Sequence, residues 1–156
     1  MNPDGSAPPQ YSSTPKPHIV EVAAGLIFRE GRLLITKRHA DAHLGGLWEF
    51  PGGKRKPDET FQHCLVRELM EELGVQVRVG ELFDQVTHDY PEKTVNLKFF
   101  VCAIDGGDPA ALDCAAFKWI SETDLGKHEF PPADERLLKK LSGSELWRRS
   151  QTGMSL

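Results

Sequence analysis

The chain has little that could cross-link it, anchor it in a bilayer or draw it to a polyanion. Three cysteines in 156 residues, Cys64, Cys102 and Cys114, stand too far apart for a close-spaced zinc or redox motif. Their odd number argues against a disulfide framework, so we expect reduced thiols and a cytoplasmic protein. No apolar run approaches the ~20 residues a spanning helix requires. The N-terminus also lacks the apolar stretch of a signal peptide, and no membrane contact is expected. Lys and Arg total 19 against 23 Asp and Glu, a formal net charge of −4. That balance provides no basic footprint for a stable nucleic-acid partner. A phosphate-bearing ligand would have to be met by local cations or by a metal.

What is there reads as one α+β domain, expected to be a monomer. Residues 1–18, rich in Pro and Ser with almost nothing to bury, are expected to form a disordered leader. The folded domain is expected over 19–142. Alternating apolar positions from Ile19, a turn at Arg29-Glu30-Gly31-Arg32 and LLITKR predict a β-hairpin. Residues 39–48 and the following Glu49–Lys54 segment read as loops. Thr60 can cap a helix over Phe61–Leu73, which Gly74 ends. Strand patterns recur at 75–90, 94–104 and 117–120. Ser121 to Asp124 has capping-box spacing, and a last helix is expected after Pro131-Pro132 through ERLLKKL. The tail, 143–156, is expected to fray, although Leu146 and Trp147 could dock.

The run from Gly53 to Val75 carries the chemistry. Glu68, Glu71 and Glu72 stand at i, i+3 and i+4 and project from one face of the predicted helix, where like charges repel. A multivalent cation between the carboxylates explains such a cluster. Hard oxygen donors suit Mg²⁺, with Mn²⁺ able to substitute, and either ion suits a phosphate substrate.

Gly53, five residues, Glu59, seven residues and then Arg67-Glu68-Leu69-Met70-Glu71-Glu72-Leu73-Gly74-Val75 match the Nudix box without a gap. The chain therefore resembles the Nudix hydrolases over essentially all of the predicted domain. The resemblance implies a mixed sheet sandwiched between helices, an α/β/α sandwich. It also implies a metal site formed by the Gly52 carbonyl with Glu68, Glu71 and Glu72. Arg67 would pair with Glu59 and orient the carboxylates, a task for which a planar guanidinium suits better than lysine. Glu59 would touch the metal or stand behind it. The general base would be a box glutamate or a loop acid. Asp113, six residues before Trp119, holds the loop position but has a shorter side chain than the usual glutamate there.

Outside the box, Leu47–Lys54 and Phe130–Asp134 resemble the MutT-type branch, which hydrolyses nucleoside triphosphates to monophosphate and pyrophosphate. By that resemblance Arg38 would contact the nucleotide, Phe50 would line the base pocket, Lys54 would steady phosphate and Asp134 would read the base edge. The plain alternatives are a hydrated strand residue for Arg38, a core residue for Phe50 and an exposed lysine for Lys54. Enzymes of this branch that act on 8-oxo-dGTP carry asparagine at the position of Asp134, and those that act on cytosine nucleotides carry aspartate. An ionised aspartate only accepts hydrogen bonds. Oxidised guanine nucleotides stand first, cytosine nucleotides second. Removal of pyrophosphate from RNA 5′ ends is a further enzyme reading. A base-recognition module without catalysis is disfavoured because every box carboxylate is present.

Overall fold

Alternation along the first strand generates two cores. In a computed structural model, which describes residues 18–152, β1 spans Ile19–Arg29 and sends successive side chains to opposite faces. Ala23 and Ile27 meet Leu65, Leu69 and Leu73 of helix α1 (Phe61–Leu73). Ala24, Leu26 and Phe28 meet Leu137 of α2 (Glu135–Leu141) and Trp147 of α3 (Leu146–Gln151). One sheet thus lies between α1 on one face and α2 with α3 on the other, the expected α/β/α sandwich.

The hairpin forms where expected. Phe28 pairs with Leu33 and Arg29 with Arg32 of β2 (Arg32–Lys37), which leaves Glu30 and Gly31 as a two-residue turn. Both have positive φ, 52° and 77°, the requirement of the hairpin turn whose twist matches the strands. Strands β5 (Gln76–Tyr90) and β6 (Lys93–Gly106) form a long antiparallel pair, and β6 runs parallel to β1. The sheet is therefore mixed. Its main path runs from β3 (Trp48–Glu49) through β2, β1 and β6 to β5, with β7 (Ala116–Ile120) on β2.

Two short strands replace expected loop. Trp48–Glu49 (β3) pairs with the end of β2, and Gly52–Lys54 (β4) pairs with Val22–Ala24 in the middle of β1. Neither is long enough to show a period of two, so only pairing reveals them. Helix α1 begins and ends as its caps predict. Thr60 Oγ1 accepts from the His63 N–H at 3.0 Å, and Gly74, at φ 70°, donates its N–H to the Met70 carbonyl. At Ser121 the expected capping box does not form. The hydroxyl meets the Asp124 carboxylate at 3.2 Å instead of a backbone amide, and Glu122–Lys127 is a 3₁₀ turn.

The tail corrects the expectation of fraying. Beyond Ser142 the chain turns through Gly143, at φ 82°, and forms α3. Trp147 is 4% exposed, packs edge-on against Phe28 at 5.1 Å and donates its indole N–H to the Leu141 carbonyl at 2.9 Å. A buried indole with its polar atom satisfied is a strong anchor, which a six-residue helix without a sequence period gives no sign of. The expected disordered leader falls almost wholly outside the described residues. Trp147→Ala should destabilise the fold by about 3–5 kcal/mol, read from the midpoint of chemical denaturation. A change within 0.5 kcal/mol would show that α3 is not part of the cooperative core.

Candidate active site

Strand β4 lies tightly between β1 and helix α1. A Cβ on Gly52 would stand 2.0 Å from the Ala23 carbonyl oxygen, a backbone atom of β1, so that position has no room for a side chain. One on Gly53 would stand 2.2 Å from the Glu68 carboxyl carbon and would displace that carboxylate. From beneath, Cys64 Sγ lies 3.5 Å from the Gly53 carbonyl. Burial and the nearby Glu59 push that thiol up to about 11, so it is a neutral support.

Arg67 ties this junction together. Its Nε and Nη2 hold both Glu59 oxygens, at 3.0 and 2.5 Å, and Nη2 also donates to the Lys54 carbonyl at 3.1 Å. Nη1 reaches Glu71 at 2.8 Å and Glu68 at 3.3 Å. Hydrogen bonding to Arg67 brings Glu59 down to about 2, and the same bond raises Arg67 itself. One guanidinium thus relieves repulsion that the sequence assigned to a metal alone. Among the described residues no three His, Cys, Asp or Glu side chains already stand in metal-holding geometry.

Glu72 is outside this network. It is 9% exposed, and its Oε1 has no hydrogen-bond partner. Burial, with Glu49 adding repulsion, raises its pKa to about 8, while a hydrogen bond from the Gly52 backbone works the other way. Glu68 is also raised, first by burial. An orphaned buried carboxylate oxygen, beside a second carboxylate pressed against a glycine, is a donor set that fits a hard divalent cation.

Two clefts meet at this junction. The smaller, about 320 Å³, is lined by Glu68, Glu71, Glu72, Asp113 and Cys114. The larger, about 360 Å³, runs between the sheet and the N-terminal end of α2 and is lined mainly by apolar side chains such as Val22, Leu97 and Phe99. Arg38, Glu49, Gly52 and Glu68 line both. Arg38 spans the junction, with Nη1 on Glu49 Oε1 at 2.8 Å and Nε on the His43 carbonyl at 2.7 Å. Burial raises Glu49 despite the opposing pull of Arg38.

Each residue singled out in the sequence can now be located. Glu59, Arg67, Glu68, Glu71 and Glu72 come together, with Gly52 and Gly53 at their edge. Asp113 stands at the mouth of the smaller cleft, 79% exposed, near His39. Phe50 is buried in the wall of the larger cleft, stacked on Phe130 at 5.2 Å and edge-on to Phe99 at 5.9 Å. Lys54 lines the same cleft from its exposed rim. Asp134 lies there too, 4% exposed, raised to about 7 by burial and by Glu49, with Arg38 opposing.

Sequence reasoning missed Glu49, His39, His43 and Tyr90. Glu49 sits inside the motif Trp48–Lys54, and that position was its only signal. The histidines show no ligand spacing because their roles depend on where the loop after β2 folds. It carries His39 to the smaller cleft and His43 to the larger, where His43 packs edge-on against Tyr90 at 5.7 Å.

A family model described as a NUDIX domain matches residues 23–140. The chain belongs to the Nudix family and is a Nudix hydrolase, an enzyme class that acts on nucleotide substrates and generally uses a divalent metal ion. It is 35% identical over 123 residues to the 8-oxo-dGTP diphosphatase of Escherichia coli (strain K12), covering 78% of this chain and 95% of that protein. It is 36% identical over 121 residues to the CTP pyrophosphohydrolase of the same strain, covering 78% and 90% respectively. The solution structure of the E. coli ORF135 protein matches with a TM-score of 0.68 at 34% identity, covering 79% of this chain and 88% of that one. Among the described residues no helix is long and apolar enough to cross a membrane.

The Glu72 shift has a stability consequence in metal-free protein. A carboxyl whose folded pKa exceeds its unfolded value of 4.5 contributes stability that is fully present below that value and is lost as pH rises through about 8. Thermal unfolding in chelator should therefore show the melting temperature falling across that window. Glu72→Gln should flatten the fall, and an identical pH dependence in that variant would remove Glu72 as its source.

Proposed function

We propose that this protein is a Mg²⁺-dependent nucleoside triphosphate pyrophosphohydrolase of the MutT type, acting on oxidised nucleotides such as 8-oxo-dGTP. The observation that carries the reading is Glu72, a buried carboxylate with an unpartnered oxygen, in an acidic cleft that adjoins an apolar one lined by Asp134. The first suits a phosphate chain with its cation, the second a base. Similarity to the E. coli 8-oxo-dGTP diphosphatase supports it. Three buried free thiols fit a reducing cytoplasm.

Gly52, through its carbonyl, and Glu68, Glu71 and Glu72 would hold the ion, with Mn²⁺ able to replace Mg²⁺. When bound, it supplies charge neutralisation at the phosphate oxygens and a lowered pKa for a coordinated water. Arg67, anchored on Glu59, keeps Glu68 and Glu71 aligned. Arg38 exchanges part of its pairing with Glu49 for phosphate, and Lys54 adds a positive charge at the rim of the larger cleft, where it would steady phosphate near the join of the two. Water adds to the β-phosphorus, its proton passes to a carboxylate for which Asp113 is the exposed candidate, and the monophosphate leaves.

Asp134 decides the base. With a pKa near 7 it is protonated in good part at neutral pH, and a carboxylic acid both donates and accepts, as an asparagine amide does. That favours oxidised guanine and answers the objection that aspartate only accepts. The ionised form suits the cytosine amino group, the second reading, which similarity to a CTP pyrophosphohydrolase supports.

A panel of canonical and oxidised nucleoside triphosphates with Mg²⁺, read by pyrophosphate and monophosphate release, tests the assignment. Preference for 8-oxo-dGTP over dGTP by about tenfold or more in kcat/KM is expected, the amount that ~1.4 kcal/mol of differential binding provides. Turnover of none of them, with 5′-triphosphorylated RNA hydrolysed instead, would overturn it. Glu72→Gln should lower kcat by about 10³-fold or more while the protein stays folded. Near-normal turnover in that variant would remove the metal-site assignment.

Asp134→Asn tests base reading through pH. Because the protonated acid is the form suited to oxidised guanine, KM for 8-oxo-dGTP should climb as pH rises through about 7 in the parent. The asparagine variant should lack that climb. The same climb in both would show that residue 134 does not read the base.

A further inference from the structure

The loop between β2 and β3 is folded on itself. The Arg38 N–H donates to the Leu47 carbonyl at 2.9 Å, and the Ala42 N–H donates to the His39 carbonyl at 3.1 Å. A Cβ on Gly45 would stand 2.3 Å from the Ala40 carbonyl oxygen and 2.6 Å from that of His39, so the loop closes over a position with no room for a side chain. His39 therefore projects from a backbone with little freedom. The segment opposite is equally tied. The Asp113 N–H donates to the Glu72 carbonyl at 3.1 Å, and the Ala115 N–H donates to the Lys37 carbonyl at 2.9 Å, two residues before His39.

Between these fixed backbones the side chains meet across the mouth of the smaller cleft, His39 Nε2 lying 3.5 Å from Asp113 Oδ1. Both line that cleft with Glu71 and Glu72. Its other carboxylates are engaged or enclosed, since Arg67 holds Glu68 and Glu71, Arg38 holds Glu49, and Glu72 is buried. Asp113, at 79% exposed, is more open to water than Glu71, which is 52% exposed and held by Arg67. With one methylene fewer than glutamate, its reach depends on how the carboxylate is turned.

We propose that His39 is a positioning residue for Asp113, holding one carboxylate oxygen with its imidazole N–H and leaving the other to accept the proton of the water that attacks phosphorus. This rests on the pyrophosphohydrolase reading above. Arg67 cannot take the role because its donors are committed to Glu59, Glu68, Glu71 and the Lys54 carbonyl.

Steady-state kinetics on 8-oxo-dGTP with Mg²⁺ tests the pair. An exposed pair acts modestly, so His39→Ala should lower kcat about fivefold with KM nearly unchanged. His39→Gln, which keeps an N–H donor, should recover most of the loss. In an Asp113→Asn background, His39→Ala should have no further effect. Parental kcat in His39→Ala, or losses that multiply in the double variant, would overturn the proposal. A second measurement needs no turnover. The His39 ring resonances of the intact protein should move on Asp113→Asn and stay in place on Asp41→Asn, and ring resonances unmoved by Asp113→Asn would overturn the pairing. A chain that hydrolyses no nucleoside triphosphate would reject the functional reading, with the ring resonances still deciding the pair.

Discussion

Arg67 carries more of this structure than any other single side chain. It reaches the loop acid Glu59, the carbonyl of Lys54 on β4, and Glu68 and Glu71 on its own helix. These are the elements that must be brought together before a glycine strand can lie against an acidic helix face. Without the guanidinium, Glu68 and Glu71 would repel across one turn and Glu59 would keep only its bond from the Lys56 amide. With it, the acidic helix face can lie against the glycine strand. A lysine could satisfy one of these acids but has no planar fork to hold several.

The two clefts follow from the same junction. Gly53 abuts Glu68, Arg38 crosses to Glu49, and the space on either side differs in chemistry because the two faces of the sheet differ in what covers them. Helix α1 brings carboxylates to one side. The turn before α2 brings Asp134, Pro131 and Ala133 to the other, where Phe50 and Phe99 supply apolar walls. A nucleotide has the same two-part character, charge at one end and a flat ring at the other. Under the proposed function Arg38, which lines both clefts, would lie where those parts of the ligand join.

Burial turns two acids into something other than their sequence identity suggests. Glu72 and Asp134 both sit in low-dielectric surroundings with Glu49 nearby, and both are raised. In one the result is an orphaned oxygen suited to a cation. In the other it is a carboxyl raised to about 7, which donates as well as accepts while protonated. The same residue types on a solvated face would be ordinary anions.

The sequence alone determined the one-faced glutamate cluster, the caps of α1 and the hairpin turn, and the sandwich class came with the family resemblance. The first three are written in local spacing: i, i+3 and i+4 for the carboxylates, Thr60 and Gly74 at the helix ends, Glu30 and Gly31 between two alternating runs. Only the tertiary structure decided the rest. Strands β3 and β4 are too short to show a period and exist because β2 and β1 offer edges. Helix α3 holds because Phe28, far away in the chain, receives Trp147. His39 and Asp113 are 74 positions apart, and the pairing of β7 with β2, extended by the hydrogen bond from Ala115 to Lys37, brings them together. Even the Gly53–Val75 run needed its fold to show that Arg67 is the first counter-ion of its glutamates, since local spacing records which charges are near and not which partner each one takes.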